Sequence, residues 1–290
     1  MILVDQSKIF ITGASGNTGG EVLRHAVKAG ASVRAGYQSA DKAKGAPAEV
    51  EAVVIDFMKP GSLLAALEGV ERVFLVGPAA ANLVELERSA MDDIRRSGVR
   101  QVVKLSAMGP REAIFPGLHR RSEDYIRESG IAYTFLRPNG FMQNVLTYNA
   151  GTIKEQSAFY GCQGDGKVSL IDLRDIAAAA VKTLMESGHE GKTYTLTGPE
   201  AITNADVAAY LSEAVGREIR YVDLPEDQVR QAMLGGGMPE WTVNSILDLN
   251  RLYKNGGASE VSGDVEKLLG RKPATFRQFA KDYAPALGKT

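Results

Sequence analysis

The stretch KIFITGASGNTGGEVLRHAVKAG, residues 8–30, decides the fold. It begins with a strand-like apolar run, continues with glycines at intervals of three (Gly13, Gly16 and Gly19) and ends as a helical pattern. Such glycines let the backbone turn sharply, let phosphates approach it and let the helix pack on the strand. Exposed N–H groups and the positive end of the helix then favour a pyrophosphate. We therefore predict the first βα unit of a dinucleotide-binding fold; a glycine turn without a ligand is the alternative.

Short β-branched runs alternate with longer amphipathic stretches through the first half of the chain. The further strand-like runs are ASVRAGY, EAVVID, RVFLVG, QVVKLSA and AYTFLRP. This alternation predicts an α/β fold with a Rossmann-type, doubly wound parallel sheet. After Pro138 the pattern is less regular. We predict a Rossmann core over residues 1–150 and a smaller C-terminal α/β substrate lobe over 151–290. The lobe is interwoven with the core, because the sheet pattern returns near 167–185.

Composition narrows the class of protein. The 290 residues are 44% hydrophobic and 24% charged, as is ordinary for a soluble enzyme, and the net charge of −1 gives no reason to expect nucleic acid as a partner. The single cysteine, Cys162, excludes an intrachain disulfide and a cysteine-built zinc site. The three histidines are widely spaced, so we expect no metal. No apolar run approaches the ~20 residues of a membrane span, and no signal peptide is visible. A cytoplasmic location is expected, with no membrane partner.

The end of the second strand-like run bears on cofactor choice. An acid there would bind both ribose hydroxyls and repel a 2′-phosphate, but this sequence has Gln38, which cannot repel. Lys42, four residues on, could neutralise a phosphate or simply be solvated. Arg34 shares a strand face with Gln38 and could point elsewhere. The residues favour NADP(H), with NAD(H) as the alternative.

With these residues in view, the chain resembles the NmrA-like branch of the atypical short-chain dehydrogenases. The matching stretches are ITGASGNTGG, VVIDFMKPGSLLAALEGVERVFLVG, SGVRQVVKLSA, SEDYIRESGIAYTFLRPNGFMQN and GDGKVSLIDLRDIAAAAVKTL. This resemblance covers nearly the whole chain. The branch includes flavin-free quinone reductases, triphenylmethane-dye reductases and NADPH-sensing regulators.

The resemblance implies a set of site residues. It places Asp56 and Phe57 beside the adenine, Gly77 and Pro78 beside the middle of the cofactor, and Ser106 near the nicotinamide. The RPNGF segment, 137–141, would line the nicotinamide and substrate pocket. The predicted cofactor-binding residues are Gly13, Ser15, Gly16, Asn17, Thr18, Gly19, Gln38, Lys42, Asp56, Phe57, Gly77, Pro78, Ser106 and Pro138. The predicted substrate-binding residues are Asn139, Phe141, Met142, Asn144 and Trp241.

One departure from the wider superfamily concerns proton transfer. Typical short-chain dehydrogenases carry Tyr-x-x-x-Lys, but the corresponding positions here are Phe115 and His119. Phe115 cannot donate a proton, so alcohol–ketone chemistry loses its main acid. His119, with an ordinary pKa of ~6.5, could donate a proton or hold the ribose, and a structural role is the alternative. His119 and Ser106 are the predicted catalytic residues.

Hydride acceptors that need no strong protein acid suit this site. A quinone gives a stabilised phenolate, and a dye cation is neutralised by hydride. Phe141, Met142 and Trp241 would suit a flat aromatic acceptor, although Phe141 and Met142 could equally be core residues. Asn139, Gln143 and Asn144 could orient a carbonyl or cap the following helix.

The sequence thus predicts an NADPH-dependent reductase of quinone-like, azo or dye-like aromatic compounds, without flavin or metal, as a monomer or homodimer. A non-catalytic NADP(H) sensor that binds a partner protein is the alternative. A sugar-nucleotide epimerase is a weaker third hypothesis, because that chemistry depends on the missing tyrosine.

Overall fold

The structure is a computed structural model that describes residues 8–288. Its strands are β1 (Ile9–Ile11), β2 (Val33–Tyr37), β3 (Glu51–Val54), β4 (Arg72–Leu75), β5 (Gln101–Leu105), β6 (Ala132–Pro138), β7 (Ala158–Gly161), β8 (Lys192–Leu196) and β9 (Arg220–Asp223). Its α-helices are α1 (Asn17–Lys28), α2 (Ala40–Ala43), α3 (Leu83–Ser97), α4 (Ile114–Glu128), α5 (Asn144–Gln156), α6 (Leu173–Met185), α7 (Asn204–Val215), α8 (Glu226–Gly235), α9 (Glu240–Lys254), α10 (Asp264–Leu269) and α11 (Phe276–Leu287).

The main sheet has seven strands in the order β3-β2-β1-β4-β5-β6-β8. Neighbouring strands from β3 through to β6 are parallel, as in the pairings of Ile9 with Val33 and of Ile9 with Arg72. The strand order reverses between β1 and β4, and open parallel sheets bind ligands beyond the carboxyl ends of the strands at such a reversal. The predicted Rossmann-type α/β fold is confirmed.

Three strands of the main sheet are buried along their whole length. Every residue of β1, β2 and β5 is buried, as expected for parallel strands covered on both faces. By contrast, β3 is an edge strand and is largely exposed. The glycine loop therefore begins on a rigid, fully packed strand.

The chain divides into two compact units of similar length. The first takes residues up to Ala107, Leu118–Arg137 and Ile176–Tyr194, and the second takes the segments between them and the residues from Thr195 on. This interleaving is finer than a single boundary at residue 150. Each unit has a hydrophobic core of its own: Phe10, Leu67 and Phe135 belong to that of the first, and Phe159, Leu211 and Phe279 to that of the second.

The second unit contains the two-stranded parallel sheet of β7 and β9 and most of the helices in the second half of the chain. Its helix α7 begins with a reciprocal cap: the Thr203 side chain accepts from the Asp206 N–H, and the Asp206 carboxylate accepts from the Thr203 N–H. The residues TNAD, 203–206, therefore form a capping box, with Asp206 in the third helical position. In the part of the chain that the structure describes, every helix is too short or too polar to span a bilayer.

Candidate functional site

The loop between β1 and α1 is shaped by its glycines. Gly13 has a φ of +62°, a conformation that side chains rarely adopt. A Cβ placed on Gly19 would lie 2.2 Å from the carbonyl oxygen of Gly13, so only glycine allows α1 to pack this closely on the loop. The buried Thr12 hydroxyl fixes the loop to the end of β4, accepting from the Val76 N–H at 2.8 Å and lying 3.0 Å from its carbonyl oxygen. The loop is a rigid backbone cradle.

The first turn of α1 has N–H groups to offer a ligand. Its N-cap residue, Gly16, has no side-chain capping bond, and the first turn contains no acid. Ser15, Gly16 and Asn17 are exposed, whereas Thr18 and Gly19 are buried. Uncapped N–H groups at a helix start bind phosphates well. The predicted residues of this loop therefore fit the pyrophosphate of a dinucleotide.

The end of β2 carries a positive charge beside an amide. Gln38 and Lys42 are both exposed, and the Lys42 ammonium donates to the Gln38 Oε1 at 3.1 Å. The neighbouring Lys44 pairs with Asp41 at 2.6 Å, so its charge is already balanced. Arg34 has another role: it is buried and donates to the carbonyl oxygens of Ala66 and Glu68. Lys42 is therefore the cation that faces Gln38.

Two further predicted segments follow β3 and β4. Asp56 is partly buried, and its carboxylate accepts from the Met58 N–H at 2.9 Å. Phe57 packs against the core of the first unit, while Pro78 is exposed. A Cβ on Gly77 would lie 2.7 Å from Leu83 and 2.8 Å from the Glu87 carboxylate. Gly77 is thus the residue that lets α3 approach the end of β4.

Ser106, just after β5, is hydrogen-bonded to a buried carboxylate. Its hydroxyl donates to Glu123 at 2.5 Å. Glu123, on α4, also accepts from Arg120, Arg127 and Arg137, the last through two nitrogens. Burial alone would raise the pKa of Glu123, but the hydrogen bonds from Arg137 and Ser106 outweigh it and lower that pKa. Ser106 is therefore held in place by an ionised carboxylate, and a catalytic role for its hydroxyl stays a prediction.

A second buried charge network lies beside the first. The Lys104 ammonium, on β5, donates to Glu87 on α3 at 2.5 Å, and both side chains are 0% exposed. Glu87 also accepts from the Ser122 hydroxyl and, at 3.2 Å, from the Gly77 N–H. The Lys104 ammonium lies 3.3 Å from Nδ1 of His119. An ammonium can only donate, so His119 accepts at Nδ1 and its own proton is on Nε2.

His119 does not titrate in the range assumed from the sequence. Burial, together with the charges of Lys104 and Arg120, lowers the pKa of His119 well below its ordinary value. His119 is therefore neutral at pH 7. A role in proton donation or in holding the ribose stays a prediction, and any hydrogen bond that it gives comes from a neutral ring.

We expect protonation to destabilise the protein through His119. Because its folded-state pKa lies below that of the unfolded chain, protons bind the unfolded chain preferentially, and stability falls by up to about 1.4 kcal/mol per pH unit below about 6.5. Urea unfolding from about pH 8 to 5 would show this loss in the wild type and a smaller one in His119→Gln. The pKa values of His25 and His189 are also lowered, but both remain in the variant. Equal slopes in the two proteins would contradict the prediction.

The predicted substrate residues occupy different environments in the second unit. The Asn139 amide is buried and donates to the Ser169 hydroxyl and the Ala258 carbonyl oxygen, each at 2.8 Å. Met142 is 1% exposed and lies in the core of this unit. Both side chains are therefore engaged in packing. Phe141 and Trp241 are partly buried, and Asn144 is exposed at the start of α5.

Neighbours of these residues also have structural partners. Pro138 is buried at the end of β6. Gln143 accepts from the Leu173 N–H at 3.0 Å and donates to Asp172 at 2.9 Å, so it caps the start of α6. Of the three polar candidates, only Asn144 presents an exposed side chain.

Glu87 and Lys104 were not among the site residues predicted from the sequence. A signal for each was present: Lys104 interrupts the apolar run QVVKLSA, and Glu87 lies on the apolar helical face that includes Leu83, Ala90 and Ile94. A charge at a buried position requires a partner. Among residues 8–288 no group of three or more His, Cys, Asp or Glu side chains could hold a metal ion.

The chain is similar to known proteins over nearly its whole length. A family model described as the NmrA-like family matches residues 5–280. The chain is 39% identical over 284 residues to the NAD(P)H azoreductase of Xenophilus azovorans, covering 97% of this chain and 99% of the relative. It is 29% identical over 277 residues to quinone oxidoreductase 2 of Escherichia coli (strain K12), covering 93% and 96%.

Solved structures of similar reductases have the same fold as this chain. An NADPH-dependent quinone oxidoreductase from Escherichia coli, complexed with NADPH, has a TM-score of 0.85 at 28% identity, covering 94% of this chain and 99% of that one. The triphenylmethane reductase of Citrobacter sp. has a TM-score of 0.84 at 27% identity, covering 97% and 99%. NmrA, a negative transcriptional regulator solved with NAD, has a TM-score of 0.76 at 18% identity, covering 97% and 96%, which shows a shared fold alone.

Proposed function

Because the chain belongs to the NmrA-like family, we propose that this NAD(P)H-dependent oxidoreductase reduces quinone-like, azo or dye-like aromatic compounds with NADPH and without flavin. The observation that carries the choice of cofactor is the Lys42 ammonium, which donates to Gln38 at the end of β2. An acid at the end of this strand would repel a 2′-phosphate, whereas an amide beside a cation attracts one. The NADPH complex of the quinone oxidoreductase relative supports this preference.

The chain's own residues fit a nicotinamide dinucleotide. The backbone of the Gly13–Gly19 loop and the start of α1 would hold the pyrophosphate, because their N–H groups are uncapped and close approach is possible. When bound, the cofactor supplies hydride. The Glu87 carboxylate holds the loop at Gly77, and Glu123 fixes Ser106, so the protein's contribution is a rigid, preorganised edge of the sheet.

The acceptor class follows from the weakness of the protein's acids. Phe115 has no proton to give, His119 is neutral, and the Ser106 hydroxyl donates to Glu123. Acceptors that tolerate such a site are those whose reduced forms are stabilised by resonance or by loss of a positive charge. The names of the azoreductase, quinone oxidoreductase and triphenylmethane reductase relatives support the same classes.

The same proposal covers the cellular location, the oligomeric state and the partners that the protein does not bind. We infer a cytoplasmic enzyme that acts as a monomer or homodimer on a small aromatic substrate, without nucleic acid, membrane or metal. The near-neutral net charge of −1 and the ordinary charged content of 24% support the absence of a nucleic-acid partner.

The decisive experiment follows NADPH oxidation by the purified protein without added flavin, using menadione, an azo dye and malachite green. Acceptor-dependent oxidation of NADPH is the expected result. Tight NADPH binding with no turnover on any of the three would overturn the reductase proposal and favour the alternative, a non-catalytic NADP(H) sensor. The likeness to the NmrA regulator extends only to the fold, so it does not support that alternative.

Replacing Lys42 by alanine should weaken NADPH specifically. Loss of one charge-assisted contact to a phosphate raises the KM for NADPH by roughly tenfold, while the KM for NADH stays unchanged. Lys44→Ala is the matched control, because Lys44 is in the same exposed segment but is already paired with Asp41. Equal effects of the two substitutions on NADPH would contradict a specific role for Lys42.

A further inference from the structure

The buried pair of Lys104 and Glu87 joins four elements of the first unit. The Glu87 carboxylate, on α3, accepts from the Gly77 N–H after β4 through Oε1 and from Lys104 on β5 through Oε2. The Lys104 ammonium also donates to the Leu105 carbonyl oxygen, at the end of β5, and to Nδ1 of His119 on α4. The pair therefore fixes the ends of β4 and β5 relative to α3 and α4.

Stability alone is a weak reason for such a pair. Both side chains are 0% exposed, and replacing a buried ion pair by well-packed apolar residues of similar volume often leaves stability unchanged or raises it. In some proteins a buried ion pair instead fixes one arrangement of the chain among several. Here the Glu87 oxygen that does not contact Lys104 accepts from the Gly77 N–H at 3.2 Å. The backbone after β4 is therefore what the pair holds in place.

This backbone is linked in turn to the glycine loop. Val76, which precedes Gly77, donates its N–H to the Thr12 hydroxyl at 2.8 Å, and its carbonyl oxygen lies 3.0 Å from the same hydroxyl. Thr12 is 0% exposed and directly precedes Gly13, the residue with a φ of +62°. A Cβ on Gly13 would lie 3.0 Å from the Val76 side chain. The contacts are thus continuous from the buried ion pair to the loop.

We propose that Glu87 and Lys104 are positioning residues for the cofactor. The ion pair fixes the backbone at Gly77, and Thr12 transmits this restraint to the Gly13–Gly19 loop, which would hold the pyrophosphate. This inference rests on the proposed function, because it takes that loop as the site of the dinucleotide. A loop already fixed in its binding geometry loses less conformational freedom when the ligand binds, so the restraint strengthens binding.

Two double variants separate positioning from stability. Glu87→Gln/Lys104→Met removes both charges and keeps an oxygen that can accept from the Gly77 N–H, whereas Glu87→Met/Lys104→Met also removes that acceptor. Neither leaves an unpaired buried charge, so both avoid the large loss of stability expected of Lys104→Met alone. We expect the Kd values of NADPH and NADH to be about tenfold higher in the second double variant than in the first. Fluorescence titration below the unfolding temperature of each variant measures them.

The route through Thr12 is tested by adding Thr12→Val to both double variants. Valine keeps the shape of the side chain and removes the hydroxyl that links Val76 to the loop. Because the link is then already broken, the two proteins should differ in Kd by roughly twofold or less. Thr183→Val is the matched control, since Thr183 is also 0% exposed in the first unit but its hydroxyl donates within α6. With this control the tenfold difference should persist.

A readout without cofactor uses NMR spectra of the unliganded double variants labelled with ¹⁵N-glycine. The amide signals of Gly77, Gly13 and Gly16 should differ between the two, whereas that of Gly130, in a turn of the same unit, should not. Unchanged loop glycines, equal Kd values in the two double variants, or a tenfold difference that survives Thr12→Val would each overturn the inference while the reductase function stands. No turnover by the wild type with any acceptor would instead overturn the proposed function, and the Kd comparison, which needs no turnover, would still decide the inference.

Discussion

Gly19→Ala is expected to weaken NADPH binding by roughly 10- to 100-fold, corresponding to an overpacking cost of about 1–3 kcal/mol. The added methyl would lie 2.2 Å from the Gly13 carbonyl oxygen and 2.8 Å from that of Thr12. Both are backbone atoms and cannot rotate away. Either α1 or the loop must therefore move, and the N–H groups at the start of α1 move with it.

The loop has little freedom to adjust. The Thr12 hydroxyl holds it to both polar backbone groups of Val76, so a shift of the loop would break contacts with the end of β4. Fluorescence titration with NADPH measures the loss. Gly151→Ala is the control, because a Cβ there meets nothing within 4 Å and alanine favours helix α5. An unchanged Kd in Gly19→Ala would contradict the phosphate cradle.

The second large effect concerns Lys104→Met, for which we expect a loss of about 3–5 kcal/mol in the free energy of unfolding. The substitution leaves the Glu87 carboxylate 0% exposed and without its ammonium partner. The Ser122 hydroxyl and the Gly77 N–H still donate to it, but neither carries a charge. A charge in that position is far costlier than a neutral side chain of the same shape.

Thermal unfolding measures the loss, which corresponds to about 2–4 °C per kcal/mol in a chain of this size. The double variant Glu87→Gln/Lys104→Met removes both charges and should recover most of the stability. Lys182→Met is the control, because the Lys182–Glu186 pair is solvent-accessible and worth about 0–1 kcal/mol. If Lys104→Met and Lys182→Met behaved alike, the buried pair would contribute little.

Local patterns sufficed to predict the fold, and long-range pairings did not follow from them. The glycine loop and the strand–helix alternation are local patterns, so the first βα unit over residues 8–30 and the parallel sheet could be predicted from the sequence. The Lys104–Glu87 contact joins residues 17 apart on different elements, and Asn139 reaches Ala258 across 119 positions. Periodicity marks both Lys104 and Glu87 as buried, but only the folded topology shows that they meet.

The interleaving of the two units has a consequence for synthesis on the ribosome. The first unit includes Ile176–Tyr194, and with it most of α6 and the beginning of the edge strand β8. Its glycine loop, Gly13–Gly19, is translated well before Tyr194, yet the unit that contains the loop is incomplete until Tyr194 has left the exit tunnel. By then the nascent chain also carries two segments that belong to the other unit, the short Met108–Gly117 and the longer Pro138–Asp175. The first unit can therefore complete its fold only after Tyr194 has been synthesised, with part of the second unit already attached to it.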